Sequence, residues 1–487
     1  MAPSATDARP ALLLGGLVLV LVPAIFVGAG LAHHLRLVFT PLAVVVAVYL
    51  YTCDSRARYL GFCLWLFMLT PLIRRLADLH AGWLAVNPIM LAPYLALLPT
   101  ALSLVRQIGR DDATRQWPFL VILASIAYGL LLAVLFGRVS SGIYDALRWA
   151  LPPLLALFVL DHAAEIGRLR ATVSTCLAWG LAVMGVYGLA QFVQPAPWDI
   201  LWMRNVQMNS IGSPEPYLVR VFATMNSPGS LACWLTAGLV VVLSRSPGWR
   251  LLVAGPPGMA ALLLSLSRIW WLAGLVCLLW LVWRGSGRLR LWLAGGLLAV
   301  LVALSFLLVT PEVERIVGDR IDSLLTLGDD SSASDRADQH AAFLLRLDEF
   351  VVGDGLATTG AVSSNLGEAA AVVVIDSGLI VTVRGLGVPV AAAYFVALLA
   401  LLSRGLGNAL RHRSDLVQCD MAIALGAVAT VAGGSSHIGE QGIILWLFLA
   451  FASVPAAERS AGADPAARLR PVGDPSGLGT LRGALGR

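Results

Sequence analysis

The sequence predicts an all-α polytopic membrane protein with about 14 transmembrane helices and a large extracytoplasmic loop carrying amphipathic helices. The 487 residues are 58% hydrophobic and only 13% charged, with a mean hydropathy of +0.81. Soluble domains average about 45–50% apolar and about 25% charged residues. Apolar runs of about 16 to 22 residues, long enough to cross the hydrocarbon core of a bilayer, also recur along most of the chain.

Composition excludes several classes of protein. All 34 basic residues are arginine, and the net charge is +5. The arginines are scattered through short loops rather than gathered in a patch, which disfavours nucleic-acid binding. The six cysteines lie within or at the ends of apolar runs and form no CxxC pair, so a disulfide framework or a zinc site is disfavoured. We expect no metal and no cofactor.

Arginine placement orients the predicted spans. Basic residues near span ends are retained in the cytoplasm, and every second loop carries at least two arginines when the N-terminus is inside. The predicted spans are 11–32, 37–53, 59–73, 84–105, 117–136, 144–161, 171–193, 228–244, 250–267, 269–283, 290–309, 386–402, 417–432 and 438–455.

The spans divide the chain into five parts. These are a cytoplasmic N-terminal tail (1–10), helices 1–11 with an extracytoplasmic loop at 194–227 (11–309), a large extracytoplasmic catalytic loop (310–385), helices 12–14 (386–455) and a disordered cytoplasmic tail (456–487).

The large loop differs in composition from the rest of the chain. Twelve of the 29 acids fall within 310–368. Apolar residues at helical spacing predict an amphipathic helix over 335–352. The following run, 369–383, is too short and too interrupted for a confident span, so we expect a re-entrant or interfacial segment.

Arg268 is the sharpest candidate for a functional residue, because ionisable groups at membrane depth are costly and usually functional. It lies in LLSLSRIWWLAG (263–274), between two apolar runs that are each just long enough to cross. We therefore place it at the outer turn of a tight helical hairpin. The alternative is an arginine that snorkels beside an aromatic belt.

Arg220 opens RVFATMNSPGSLA (220–232), in which a turn beginning at Asn226 leads into an apolar run. A helix N-terminus favours an anion, and an arginine just upstream suits the same ligand. The alternative is an ordinary N-cap at the mouth of a span. Arg336 and Arg384 fall on the same predicted side, and the fork of arginine suits phosphate oxygens. Four such residues suggest a diphosphate ligand, although loop salt bridges explain Arg336 and Arg384 equally well.

Two residues are candidates for a general base. Asp376 interrupts the apolar run AAAVVVIDSGLIVTV, where it could act as a base, orient a hydroxyl, or cap the helix that starts near Ser377. His340 in the loop helix could act as a base near neutral pH. His437, beside Glu440 in the turn GGSSHIGEQG, is a lesser candidate.

Four motifs together resemble the bacterial O-antigen ligase/polymerase superfamily, in order and on one predicted side of the membrane. RVFATMNSPGSLA resembles its arginine, phenylalanine and asparagine–proline region, and LLSLSRIWWLAG resembles its serine–arginine hairpin. SDRADQHAAFLLRLDEFVVGDGL (334–356) is similar to its loop helix, and VVVIDSGLIVTVRGLGVPVAA (372–392) is similar to the approach to its next span. The likeness covers roughly 204–402.

The resemblance implies a GT-C-type glycosyltransferase of the bacterial inner membrane that works on the periplasmic face. Its donor would be an undecaprenyl-diphosphate-linked saccharide, and it would need neither a nucleotide sugar nor a metal. Arg220, Arg268, Asp376 and His340 would be catalytic, and Asn226, Arg336 and Arg384 would bind substrate. Ligases carry a His–Asn pair where this chain has Asp376 and Ser377. This difference favours an inverting polymerase of an exopolysaccharide or O-antigen-like polysaccharide over a ligase.

The predicted partners are a lipid-linked saccharide donor, a glycan acceptor and membrane lipids, with chain-length regulators or export proteins as candidates. A ligase that transfers a finished glycan is the first alternative. A flippase or transporter for lipid-linked oligosaccharides is the second, since GPPG (255–258) could break a helix in the way that transporters do.

Overall fold

A computed structural model of the chain describes residues 14–53, 55–108, 113–206, 208–245, 249–296, 339–358, 375 and 377–454. Of these residues 83% are helical and none forms a β-strand. The one pairing of extended backbone in the described ranges is an antiparallel bridge between Gly212 and Val219.

The described residues form seventeen longer helices, besides short 3-10 turns. In chain order they are α1 (Leu14–Gly28), α2 (Ala32–Cys53), α3 (Arg56–Ala81), α4 (Pro88–Gln107), α5 (Ala113–Leu135), α6 (Val139–Asp161), α7 (Ile166–Val193), α8 (Pro197–Asn205), α9 (Pro228–Arg245), α10 (Trp249–Leu264), α11 (Arg268–Arg284), α12 (287–296), α13 (339–345), α14 (Gly378–Leu386), α15 (Val388–Arg411), α16 (Asp415–Ala429) and α17 (Gly439–Ser453).

Nine helices in the described part of the chain are long and apolar enough to cross a membrane, and α1, α10 and α17 are shorter apolar helices. The predicted class is therefore confirmed at its coarse level, since this is the helix content of a multi-pass membrane protein. Many large apolar side chains on the outer helix faces are exposed, as expected for surfaces that face lipid.

The most deeply buried helices include α3, α9, α16 and α17. α7 packs against α3, α9 and α10, and α17 packs against α6, α15 and α16. α10 is continuous through GPPG (255–258), which contradicts the expectation of a broken helix there. A Cβ on Gly185 of α7 would lie 2.6 Å from the backbone nitrogen of Gly258, so these glycines allow the two helix backbones to touch.

The helices alternate in direction, so the bundle has two ends. We call the end at which α9 begins the Asn226 end; α3, α7 and α10 finish there, and α4, α6, α11 and α17 begin there. At the opposite end, Arg170 and Arg245 share the buried carboxylate of Asp420. This tie joins α7, α9 and α16, and Arg170 also donates to the carbonyl of Phe451 on α17 at 2.8 Å.

Two predicted segments differ from the structure. The span predicted to end at 73 continues as α3 to Ala81, because its terminal charges are paired within the protein. The loop helix predicted over 335–352 is described from 339, ends at 345 and gives way to a 3-10 turn at Leu347–Phe350. The tighter turn brings the rings of Phe343 and Phe350 to 5.1 Å.

Part of the predicted interfacial segment 369–383 lies outside the described residues. Its described end is the start of α14, which Ser377 caps by accepting the N–H of Ile380 at 3.4 Å.

Candidate functional site

A partly enclosed cavity of about 690 Å³ lies at the Asn226 end of the bundle. This volume is within the roughly 300–1,000 Å³ of small-molecule sites. Its mostly apolar walls come from α3, α4, α6, the start of α17 and the segment before α9. The polar side chains that line it are Arg74, Asn87, Tyr94, Ser140, Tyr144, Arg148, Asn226 and Glu440.

Arg148 on α6 contributes a guanidinium to this cavity. Its Nη1 donates to Oδ1 of Asp145, one turn earlier, at 3.1 Å. Gly439 has a left-handed φ of +59°, and a Cβ there would lie 3.2 Å from Nη2 of Arg148 and 3.6 Å from Oη of Tyr94. Glycine both adopts this backbone conformation and leaves room, so Arg148 packs against the start of α17.

Glu440, the next residue, is held by donors from two other helices. Oη of Tyr94 on α4 donates to its Oε2 at 3.2 Å, and Oγ of Ser230 on α9 donates to its Oε1 at 2.6 Å. The indole of Trp234 donates to its backbone carbonyl at 3.2 Å. The first turns of α9 and α17 are therefore joined through this carboxylate.

The second arginine of the cavity wall, Arg74, is also neutralised by neighbouring groups. Its Nε donates to Oδ2 of Asp78 at 3.2 Å, and its Nη2 donates to two carbonyls of the following loop. Asp78 in turn accepts from Arg36 at 2.7 Å and from Asn87 at 2.8 Å. Both arginines that line the cavity are therefore paired with carboxylates, which limits the positive charge that they present to a ligand.

A buried ion pair fixes the segment 219–227, which leads to the cavity. Arg75 on α3 pairs with Asp199 on α8, and both side chains are fully buried. Nη2 of Arg75 also donates to the carbonyl of Ala223 at 2.5 Å. Gln191 on α7 accepts the N–H of Ala223 and donates to Asp199, both at 2.9 Å. Three helices thus determine where this segment lies.

The structure brings the segments of Arg220 and Arg268 together. Nη2 of Arg220 donates to the carbonyl of Leu266 at 2.9 Å, and the N–H of Val221 donates to the carbonyl of Leu264 at 3.1 Å. Arg268 is an exposed residue at the start of α11, as predicted for the turn of a helical hairpin. Both arginines lie outside the described lining of the cavity.

Asn226 is the predicted site residue that lines the cavity itself. Its Nδ2 contacts the sulfur of Met90 at 3.6 Å, and its buried Oδ1 accepts no hydrogen bond from the described residues. α9 begins at Pro228, where the predicted turn required it. Oγ of Ser227 accepts the N–H of Ser230 at 3.2 Å and so caps this helix.

Arg384 forms the loop ion pair that was the alternative to a role in binding. Its Nε donates to Oδ2 of Asp354 at 2.7 Å, and its carbonyl accepts the N–H of Asp354 at 2.7 Å. The guanidinium also lies 6.0 Å from the ring of Phe350. Arg384 is half-buried, so the ion pair fixes the loop to α14.

Residues 351–357, which we call the strap, dock this loop on α5 and α6. The N–H of Leu356 donates to the carbonyl of Gly129 at 2.9 Å. The N–H of Ala357 donates to Oδ2 of Asp145 at 3.1 Å. Since the other oxygen of Asp145 accepts from Arg148, one carboxylate links the strap to the cavity arginine.

The remaining predicted residues are His340, Arg336 and Asp376. His340 lies in α13 and is outside the described lining. Arg336 and Asp376 lie outside the described residues, so their predicted roles stay predictions. No three histidine, cysteine or acidic side chains of the described ranges are grouped so as to hold a metal ion.

Sequence reasoning missed the acids and arginines of α3 and α6. Arg74, Arg75 and Asp78 lie beyond residue 73, where the predicted span ends, although α3 continues to Ala81. Asp145 and Arg148 stand three residues apart at the start of an apolar run, which is a detectable signal, since such a pair shares one face of a helix.

The comparisons with known proteins do not assign the chain to a family. No protein-family model, no curated protein and no solved structure matches it.

Proposed function

We propose that this chain is a membrane glycosyltransferase that polymerises saccharide units carried on a lipid diphosphate. The observation that carries the proposal is the cavity at the Asn226 end, in which apolar walls surround a few converging polar groups. That combination is typical of a site for an amphiphilic or sugar-like ligand.

The charges at the cavity favour a neutral, hydroxyl-rich ligand. Arg148 is paired with Asp145, and Arg74 is paired with Asp78. An anion placed here would compete with carboxylates that are already bound to these arginines. Sugar hydroxyls can donate to Glu440 and accept from arginine without disturbing either pair. We therefore assign the cavity to a saccharide unit.

The diphosphate is assigned to Arg220 and Arg268. Both belong to segments that meet at the turn between α10 and α11, and Arg268 is an exposed residue. Arginine pairs well with phosphate oxygens, and a cation at this place would offset the charge that develops on a leaving diphosphate.

The arginines in the loops of the opposite end support a cytoplasmic position for that end. The proposal therefore includes about fourteen crossings of the bacterial inner membrane and a site that faces the periplasm. The donor is an undecaprenyl-diphosphate-linked saccharide and the acceptor is a growing glycan.

The test is glycan synthesis by membranes or reconstituted protein supplied with a lipid-diphosphate-linked repeat unit. Wild type is compared with Arg220→Ala, Arg268→Ala and, as a control, Arg204→Ala on the exposed face of α8. We expect a ladder of products from wild type and the control, and a loss of about 10²-fold or more in the other two variants.

Other outcomes separate the alternatives. A single transfer product identifies a ligase. If no glycosidic bond forms and labelled lipid instead crosses the bilayer, the enzyme proposal is wrong and a flippase remains.

A further inference from the structure

Glu440 is the acid among the described residues that line the cavity. Its position at the first turn of α17 is fixed through the backbone as well as the side chain, because Trp234 donates to its carbonyl. We propose, on the basis of the function proposed above, that Glu440 accepts the proton of the attacking glycan hydroxyl.

The hydrogen bonds of Glu440 leave room for a substrate hydroxyl. Each oxygen of a carboxylate can accept about two hydrogen bonds. Tyr94 occupies one position on Oε2 and Ser230 occupies one on Oε1. One position therefore stays open on each oxygen, while the two donors prevent the carboxylate from rotating away.

Arg148 gives this acid a defined electrostatic environment. Its guanidinium packs over Gly439, the residue immediately before Glu440, and is itself oriented by Asp145. A cation that is fixed beside Glu440 in this way can orient a second sugar oxygen and so hold the attacking hydroxyl close to the carboxylate of Glu440.

The reaction step is a substitution at the anomeric carbon of the donor. The acceptor hydroxyl gives its proton to Glu440, and the freed oxygen lone pair forms the bond to the anomeric carbon. The bond from that carbon to the diphosphate oxygen breaks, and its electron pair leaves with the lipid diphosphate. Glu440 then releases its proton to water. Attack opposite to the leaving group inverts the configuration.

Two features distinguish Glu440 from His340, one of the bases expected from the sequence. It lines the cavity, whereas His340 lies outside the lining, and its carboxylate is positioned by side chains from α4 and α9. Geometry of this kind is the first requirement for a general base.

The experiment measures kcat and KM for glycan transfer over pH 5 to 8, with the lipid-diphosphate-linked repeat unit as donor. The variants are Glu440→Gln, Glu440→Asp and the control Glu215→Gln, which makes the same change at an exposed residue near this end. We expect Glu440→Gln to lower kcat by about 10²–10⁴-fold with KM changed less than about threefold. Glu440→Asp should retain part of kcat, and the control should match wild type.

The results separate this inference from the proposed function. If wild type transfers glycan and Glu440→Gln keeps more than about half of its kcat, the proton-acceptor role is wrong and the function stands. A rise in KM with kcat unchanged would show binding alone and would also overturn the role. If wild type transfers no glycan, the proposed function itself fails.

A thermal midpoint measured in detergent identifies a variant that is merely misfolded. Tyr94→Phe provides a second test for that case, because it removes one donor to Glu440 and leaves the carboxylate in place. It should lower kcat by less than Glu440→Gln, and an equal or larger loss would contradict the assignment of the proton to Glu440.

Discussion

The ring of His437 illustrates how single residues at the Asn226 end are held. The ring is fully buried and packs against Trp149 and Tyr394, with ring centroids at 5.3 and 5.8 Å. The hydroxyl of Thr382 donates its single proton to the carbonyl of Gly378 at 2.6 Å. The same hydroxyl lies 2.9 Å from Nε2 of His437, so Nε2 must be the donor in that contact. Nδ1 therefore carries a lone pair, with no partner among the described residues.

This environment predicts that acid destabilises the protein through His437. Burial lowers the pKa of His437 to about 3, from its usual 6.5. The unfolded chain then binds the proton more readily, so the stability that His437 contributes is full above about pH 6.5 and is lost as the pH falls towards 3. Between pH 7.5 and 5 the expected loss is about 2 kcal/mol.

The measurement is the thermal midpoint in detergent at both pH values, for wild type, His437→Gln and the exposed control His80→Gln. The control should follow wild type, and His437→Gln should lose much of the pH dependence. A pH dependence that is unchanged in His437→Gln would show that another group is responsible.

At the scale of elements, the segment 219–227 has its conformation imposed by its neighbours. It forms neither helix nor strand of its own, and its backbone groups instead bond to Arg75 and Gln191. Asn226 belongs to this segment, and α9 begins directly after it. The buried pair Arg75–Asp199, which fixes the segment, therefore also determines the position of one wall of the cavity.

Removal of Arg75 is predicted to cost more than removal of the whole ion pair. Arg75→Ala leaves the carboxylate of Asp199 buried without its cation, which typically destabilises a protein by about 3–5 kcal/mol. The double variant Arg75→Leu and Asp199→Leu removes both charges and should be less destabilised than Arg75→Ala.

Thermal midpoints in detergent test this order, with exposed Arg204→Ala as a control that should lie within about 0.5 kcal/mol of wild type. If the double variant is the less stable of the two, packing of the side chains rather than burial of a lone charge holds the segment.

At the scale of the whole molecule, two sets of buried ion pairs join the helices, one set at each end. Among the described residues, Arg75–Asp199 joins α3 to α8 at the Asn226 end, and Asp420 with its two arginines joins α7, α9 and α16 at the other. Apolar helices in lipid gain little from the hydrophobic effect between them, so polar ties and close backbone contacts such as Gly185–Gly258 fix their arrangement.

The arginine distribution predicts which end faces out. Ser213→Cys at the Asn226 end and Ser414→Cys at the opposite end are matched substitutions at exposed serines. In a Cys53→Ser background, a membrane-impermeant maleimide should label the first in intact cells and the second only after permeabilisation. The reverse pattern would place the cavity in the cytoplasm and contradict the proposed function.

The helical class and the positions of most helices could be predicted from sequence, because length and hydropathy are local properties. The start of α9 at Pro228 and the hairpin turn before Arg268 followed from short motifs in the same way. The site could be predicted only in part. Asn226, which begins the predicted turn, lines the cavity. Arg148 and Glu440 are 292 residues apart in the sequence, and only the packing of the helices brings both to the cavity.

Composition and the length of the apolar runs were enough to predict a helical, multi-pass membrane protein, since a bilayer requires long apolar helices. The long-range partners of charged residues became known only from the packing of the helices. Packing brings Arg75 to Asp199, Arg170 and Arg245 to Asp420, and Arg384 to Asp354. The physical reason is that the energy of a charge in a membrane protein depends on the neighbours that packing brings to it, and many of those neighbours come from distant parts of the chain.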